Sequence, residues 1–172
     1  MRAMIKADKK NKTNSVNDSS FDSVFERLIK VGIALSAETN KTRLMETILL
    51  EAQSISNADG GTLYIRGNII TDTISGNGVF EPSAEGNQLK FEIMRTNSLN
   101  IAVGGTTGRE MNLPPLYIIF PKTGRKNLKN VATASILRAK SINVPDVYKS
   151  KEFDFSGTKQ FDVDTGYQSK SF

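Results

Sequence analysis

The aspartates near the end of the chain are the first residues whose spacing could serve chemistry. Asp154, Asp162 and Asp164 lie in one short stretch, and clustered carboxylates can act in general acid–base catalysis or hold Mg²⁺. Asp162 and Asp164 would face the same side only in an extended stretch, because side chains alternate along a strand. Their spacing does not follow an EF-hand loop. Aspartate is also favoured in turns and helix caps, so the sequence predicts that role ahead of catalysis.

A glycine-rich segment invites comparison with a phosphate-binding loop. Residues 104–109 read Gly-Gly-Thr-Thr-Gly-Arg. A P-loop ends in Lys-Ser or Lys-Thr and connects a strand to a helix, and neither feature is predicted here. The match to that motif is therefore weak.

The 172 residues include no Cys and no His. Zinc sites built on thiolate or imidazole, cysteine nucleophiles and Ser-His triads are therefore excluded. Haem held by a proximal histidine and thioether-linked bilins are excluded as well. The lack of disulfides fits the reducing cytosol. No convincing acid–base pair remains, so we expect a chain that is not an enzyme and has no catalytic or metal-binding residues.

Positive charge is gathered at two places, although the net charge is only +5. Three lysines lie within residues 9–12, and a second group consists of Lys122, Arg125, Lys126 and Lys129. A basic surface can bind nucleic acid, but neither group is interleaved with aromatics and no nucleic-acid-binding motif is visible. We interpret both groups as solvated, in a tail and in a loop, and predict no nucleic-acid partner.

The N-terminus has none of the apolar core that a signal peptide needs. No window approaches the roughly 20 apolar residues that span a bilayer. We therefore expect a soluble, cytoplasmic chain without membrane insertion, while a membrane-bound parent protein stays open.

The predicted organisation begins with a disordered polar tail, residues 1–19, followed by one domain over residues 20–172. A helix should start near residue 21, because apolar residues recur three and four apart. This seam consists of Phe21, Val24, Leu28, Val31 and Leu35. It can pack on the protein's own sheet or join two chains in a parallel dimer. Two heptads are short for a coiled coil, which favours packing on the sheet.

Further elements follow from capping residues and apolar periods. A second helix is predicted from Asn40 to the glycine-containing segment 57–61, which would end it. Thr62–Arg66 is rich in β-branched and aromatic residues and should be a strand. Residues 67–88 contain too many glycines for a regular element and are predicted as a long hairpin connection, in which Ile69-Ile70 can extend the strand. Leu89–Met94 alternates apolar and charged residues, as a half-buried strand does.

The second half of the chain is harder to interpret. Glycines and prolines exclude a long helix from Thr96 to Lys129, although Leu116–Phe120 should form a short buried strand. Asn130 can cap a helix over Val131–Ala139. The remainder is predicted as a short strand, a brief helix and a phenylalanine-rich loop, namely Ser141–Val144, Val147–Glu152 and the residues around Phe153, Phe155 and Phe161.

Several motifs carry a resemblance to a known family. They are Asn-Ala-Asp-Gly-Gly-Thr-Leu-Tyr at 57–64, Phe-Glu-Ile-Met at 91–94, Asn-Val-Pro-Asp-Val-Tyr at 143–148 and Thr-Gly-Tyr at 165–167. With the order of elements, they resemble a bacterial GAF domain of the type attached to cyclic-nucleotide and cyclic-di-nucleotide signalling enzymes, notably HD-GYP phosphodiesterases. The resemblance covers residues 21–172, and none of its motifs is catalytic. It implies an α+β, GAF/PAS-like fold with an antiparallel sheet flanked by helices.

The resemblance also implies that two strands and a C-terminal helix of such a domain are missing from this sequence. In the family those strands lie beside the first strand of the sheet. We therefore expect Thr62–Arg66 and Ile142–Val144 to keep unpaired backbone groups. Exposed strand edges invite pairing with another chain, so the isolated chain should be marginally stable or should associate.

A ligand cavity is implied between the sheet and the segments Asn130–Thr133 and Asp146–Thr165. The helix that Asn130 caps would offer backbone N–H groups to a phosphate or carboxylate, and an aromatic side chain could stack on a purine. The predicted ligand-binding residues are Asn130, Val131, Ala132, Thr133, Asp146, Tyr148, Phe155, Asp162 and Thr165. Alternatively, the aromatic residues are plain core and close the fold without a ligand.

Two functions are compatible with the resemblance. In the first, the chain senses a small molecule, such as a cyclic nucleotide, and modulates an attached or partner output domain. The parent protein would then be a cyclic-di-GMP phosphodiesterase, a nucleotide cyclase or a kinase. In the second, the chain is a ligand-free dimerisation module. Both would use a homodimer through residues 21–35.

Overall fold

The computed structural model describes residues 25–26, 28–71, 78–110 and 113–172. Over these ranges the chain forms an antiparallel sheet of five strands and four helices. The predicted α+β class with an antiparallel sheet is confirmed. The predicted tail 1–19 and the first seam residues, Phe21 and Val24, lie outside the described residues.

The described residues of helix α1 are 25–26 and 28–37. Within the predicted seam, Val31 and Leu35 are half-buried and Leu28 is exposed. The most exposed apolar residues instead follow the neighbouring stripe of Phe25, Ile29 and Ile33. These three residues are spaced by four, which places them on one face of the helix.

Helix α2, Lys41–Ser56, begins where the sequence predicts. The Asn40 side chain accepts the Arg43 N–H at 3.0 Å, which satisfies one of the free donors of the first turn. The helix ends at Asn57 in the left-handed conformation, with a φ of 52°. A Cβ at Gly61 would lie 2.9 Å from Leu49, so the missing side chain lets α2 approach the sheet closely.

The sheet begins with β1 (Gly60–Thr71), β2 (Gly78–Pro82) and β3 (Gln88–Thr96). The predicted strands Thr62–Arg66 and Leu89–Met94 are confirmed within them. The strand extension through Ile69-Ile70 is confirmed, since β1 reaches Thr71. The prediction of an otherwise irregular connection over residues 67–88 is wrong where β2 forms and pairs with that extension. The glycines of this segment let the paired strands approach each other closely.

The segment that connects β2 to β3 crosses over β1. These two strands lie on opposite sides of β1, in the order β2-β1-β3-β4. Both reach Gly67, which is opposite Pro82 of β2 and Gln88 of β3. A Cβ on Gly86, in the connection, would lie 2.4 Å from the Gly67 backbone. Two glycines therefore meet where one backbone passes over another.

Two short strands pair with the far side of β3. They are β4 (Ile101–Gly104) and β5 (Leu116–Tyr117). The predicted strand Leu116–Phe120 is thus shorter than expected. Ile119 forms a bridge with Lys126 instead, which folds residues 117–127 into a hairpin.

Helix α3, Val131–Arg138, is capped by Asn130 as predicted and ends at Ala139. Residues 141–144 are not assigned as a strand, but Val144 exchanges two backbone hydrogen bonds with Phe172, of 2.7 and 2.9 Å. The expectation of an unpaired Ile142–Val144 segment is therefore wrong at Val144. The C-terminal residues supply its partner.

The predicted helix Val147–Glu152 is replaced by turns, because the Asp146 carboxylate accepts the N–H groups of Tyr148 and Lys149. The stretch predicted as a loop contains helix α4, Ser156–Thr165. An apolar cluster lies between α3 and this segment. It consists of Ala134, Val144, Val147, Phe153 and Phe155, with Val131 and Ile142 packed against it.

An ion pair fixes α2 to the sheet. The Arg95 guanidinium of β3 donates to the Glu46 carboxylate of α2, and both side chains are largely buried. The Thr106 N–H donates to the second Glu46 oxygen at 3.1 Å. One carboxylate thus joins a helix, a strand and the turn after β4.

Among the described helices, none has the length and apolar character that crossing a bilayer requires.

One edge of β1 is open. The Ser83 N–H donates to the Arg66 carbonyl at 3.0 Å on the β2 side, so even-numbered residues of β1 face β2 and odd-numbered residues face β3. Strand β2 extends no further along β1 than Gly67. The backbone groups of Thr62 and Tyr64 therefore face an edge on which no described strand lies.

Gly86→Ala is expected to lower the free energy of unfolding by about 3 kcal/mol, because the new Cβ would overlap the Gly67 backbone. Urea denaturation measures this loss. Gly157→Ala is the matched control, since no atom lies within 4 Å of its added Cβ. Equal stabilities of the two variants would contradict a tight crossing.

Thr62→Pro is expected to suppress association of the chain, because the N–H it removes points to the open edge. In analytical ultracentrifugation the wild type should sediment faster with rising concentration, whereas the variant should show little of this concentration dependence. Leu63→Pro, the control, removes a bond to β3 and should unfold the chain. A wild type that stays monomeric and unfolds cooperatively at high temperature would disprove the expectation.

Candidate functional site

The Asn130 side chain satisfies two backbone donors at the N-terminus of α3. The Asn130 side-chain oxygen accepts the Ala132 N–H at 3.0 Å and the Thr133 N–H at 3.3 Å. The Thr133 hydroxyl is fully buried, 2.6 Å from the Asn127 carbonyl oxygen. A ligand at this helix end would have to replace the Asn130 oxygen as acceptor. Val131 and Ala132 are half-buried beside it.

Phe155 belongs to the packing between α3 and the C-terminal segment. It is buried, and its ring centroid lies 6.3 Å from that of Phe153 and 5.6 Å from that of Phe172. Aromatic pairs at these separations contribute to core packing. The Phe155 ring, which was predicted to stack on a purine, therefore packs against other aromatic rings in this structure.

Asp162 is the polar centre of the C-terminal segment. The residue is only 4% exposed and accepts three hydrogen bonds. The Tyr148 hydroxyl donates at 2.7 Å, and the Ser169 N–H and hydroxyl each donate at 2.8 Å. The structure thus brings together two of the predicted residues, Tyr148 and Asp162, and adds Ser169, which the sequence did not indicate.

A second carboxylate joins this segment to the sheet. Asp59, just before β1, accepts the Ser98 hydroxyl at 2.6 Å, the Ser98 N–H at 2.9 Å and the Tyr167 hydroxyl at 2.8 Å. The sequence indicated Asp59 and Tyr167 only as parts of motifs, and assigned neither a role. No local sequence pattern could have paired Asp59 with Tyr167, because 108 positions separate them. We call the bonds around Asp162 and Asp59 the carboxylate latch.

Two predicted residues lie apart from the latch. The Thr165 hydroxyl is exposed and donates to the Phe161 carbonyl within α4. The Asp146 carboxylate is 2.9 Å from the Lys149 ammonium, and it lines a cavity of about 320 Å³ with residues 142–145, 149–150 and 152–153. The Asp146 side chain could therefore contact a small ligand in that cavity.

Asp162 and Asp164 do not form a carboxylate pair. Asp162 and Asp164 lie in helix α4, where residues two apart point in different directions. Asp162 is buried, whereas Asp164 is exposed and accepts from Gln160. In the described part of the chain no three His, Cys, Asp or Glu side chains are grouped so as to hold a metal ion.

Hydrogen bonding controls the titration of the latch. Burial raises the pKa of Asp162, but the bonds from Tyr148 and Ser169 outweigh it, so that pKa lies below its ordinary value. The Ser98 and Tyr167 hydroxyls lower the pKa of Asp59. In return, the bond to Asp162 raises the pKa of Tyr148, while burial and then the bond to Asp59 raise that of Tyr167.

Comparisons with protein-family models, with curated proteins and with solved structures gave no match to this chain.

The latch should fail in acid. Unfolded aspartates titrate near pH ~3.9, and the folded pKa values of Asp59 and Asp162 lie lower. Their contribution to stability is therefore complete above that pH and is lost as the pH falls through the folded pKa values. The urea midpoint should stay constant near neutrality, where no histidine titrates, and should fall in acid.

The variant Asp59→Asn/Asp162→Asn should show a shallower fall of that midpoint, whereas Asp164→Asn, an exposed neighbour, should behave like the wild type. If the double variant and the wild type lose stability in parallel, the latch does not govern the acid response.

Proposed function

We propose that this chain is a regulatory domain of the GAF type, which senses a small molecule and modulates an attached or partner output domain. The observation that carries the proposal is the carboxylate latch. Hydrogen bonds hold the segment 144–172 around Asp162 and to Asp59, and such bonds can be exchanged for bonds to a ligand. The motif resemblance of residues 57–64, 91–94, 143–148 and 165–167 supports the same class.

The ligand-responsive residues are Tyr148 and Asp162. Tyr148 is about half exposed, so its hydroxyl can leave Asp162 without disturbing the apolar cluster. A carboxylate that loses a donor needs another, because an unpaired buried charge is costly. A ligand with adjacent N–H donors would supply it. Guanine presents such donors on its Watson–Crick edge, so guanine-containing cyclic nucleotides are favoured over cyclic AMP.

The response would reach the output domain through the sheet. Tyr167 lies two residues before Ser169, and its hydroxyl binds Asp59 at the start of β1. Exchange of the Asp162 bonds would therefore shift the residues that hold Asp59. The phosphodiesterase, cyclase or kinase output is part of the proposal and rests on the motif resemblance.

Isothermal titration with cyclic AMP, cyclic GMP and cyclic-di-GMP tests the proposal. We expect heat with a guanine-containing nucleotide and a higher melting temperature at saturation, since binding to the folded state stabilises it. Asp162→Asn should weaken binding about tenfold or more, because it removes a charge-assisted acceptor. Asp164→Asn is the matched control and should bind like the wild type.

A ligand-free dimerisation module is the second candidate. The observation in its favour is the apolar stripe of α1, where Phe25, Ile29 and Ile33 are 63%, 48% and 66% exposed. The titration decides between the two. A dimeric chain that gives no heat and no thermal shift with any of the three nucleotides would support the dimerisation module and refute the sensor.

A further inference from the structure

The excess positive charge of the chain resides in one segment. Residues 111–145 contain six lysines and arginines and no aspartate or glutamate. The whole chain has 23 basic and 18 acidic residues, so the rest of it has 17 and 18 and is nearly neutral. A local excess of one sign attracts ligands of the opposite sign. This segment is therefore the place where an anion would be concentrated.

The hairpin of residues 117–127 holds part of this charge in a defined geometry. The Phe120 N–H donates to the Arg125 carbonyl at 2.9 Å, and the Gly124 N–H donates to the Phe120 carbonyl at 2.8 Å. Gly124 has a φ of 66°, which a residue with a side chain adopts reluctantly. The Asn127 amide donates to the Tyr117 carbonyl at 3.0 Å. These hydrogen bonds hold the two arms of the hairpin together along its length.

A cavity of about 620 Å³ lies against this hairpin. Its volume is in the range of small-molecule sites. The lining combines apolar side chains with cations and contains no acidic residue; its members are Tyr117, Leu128, Lys129 and residues 120–127 except Gly124. Tyr117, Phe120 and Leu128 are 39%, 42% and 41% exposed. Apolar surface and positive charge therefore face the same space.

The cations of the cavity are available. Among the described residues, Lys122, Arg125 and Lys126 form no ion pair, whereas the Lys129 ammonium donates to the Glu152 carbonyl at 3.1 Å. Lys129 thus joins the cavity to the C-terminal segment. Three charged side chains remain for a ligand.

We propose that this cavity binds a phosphorylated aromatic molecule of the nucleotide class. Lysine and arginine would bind the phosphate groups, and arginine can do so through two parallel hydrogen bonds. The Phe120 and Tyr117 rings would stack on the base, a contact that every base offers. The site does not include Asp162, so it stands independently of the proposed sensor function.

The test uses the whole chain with ATP, inorganic pyrophosphate and adenosine as probes, followed by NMR of the backbone amides. ATP should shift the resonances of residues 117–129 and should bind more tightly than either partial probe. Arg125→Gln/Lys126→Gln should weaken ATP binding about tenfold or more. Phe120→Ala should weaken ATP binding but leave pyrophosphate binding unchanged.

Two controls isolate the site. Lys41→Gln/Lys151→Gln removes the same charge from exposed positions outside the cavity and should retain the wild-type affinity for ATP. Asp162→Asn should retain it as well, which separates this site from the proposed sensor site.

Three results would overturn the proposal. The first is an equal loss of ATP affinity in the Lys41→Gln/Lys151→Gln control, which would indicate net charge alone. The second is an absence of ATP-induced shifts in residues 117–129. The third is tight, steeply salt-dependent binding of a short RNA without ATP binding, which would indicate a nucleic-acid surface.

Discussion

The crossing of the chain over β1 is the contact on which the remaining fold depends. Gly86 passes over Gly67 at a distance that leaves no room for a side chain. The crossing places β3 on the opposite side of β1 from β2, and β3 in turn pairs with β4 and β5. Strand β5 begins the hairpin of residues 117–127. The position of the cationic cavity therefore follows from a contact between two glycines.

The two halves of the structure are held by different kinds of interaction. The Glu46–Arg95 ion pair and the packing of Leu49 join α2 to the sheet. The C-terminal half has its own apolar cluster and meets the sheet through β5 and the Tyr167–Asp59 bond. The segment 144–172 carries most of that cluster, so it would shift relative to the sheet as a packed unit and would not open locally.

Local sequence signals predicted some elements well. The starts of α2 and α3 followed from Asn40 and Asn130, because a cap acts on N–H groups two or three residues away. Strand β3 followed from its alternation. Helix α4 was not predicted, since it has few apolar residues and its one buried residue is the polar Asp162. The extension of β1 was foreseen only as an option at Ile69–Ile70, and β2 was missed because the glycines that permit the crossing suggested a break.

The sequence alone determined which chemistry is impossible for this chain, since without Cys or His no thiolate or imidazole can be placed anywhere. It also determined the locally capped helices and the alternating strand, whose contacts span a few residues. Only the tertiary structure decided which acids acquire partners. Asp59 and Tyr167 are 108 positions apart, and no periodicity records that distance. Their meeting depends on how the sheet and the C-terminal segment pack, because hydrogen bonds between distant residues form only once the backbone is in place.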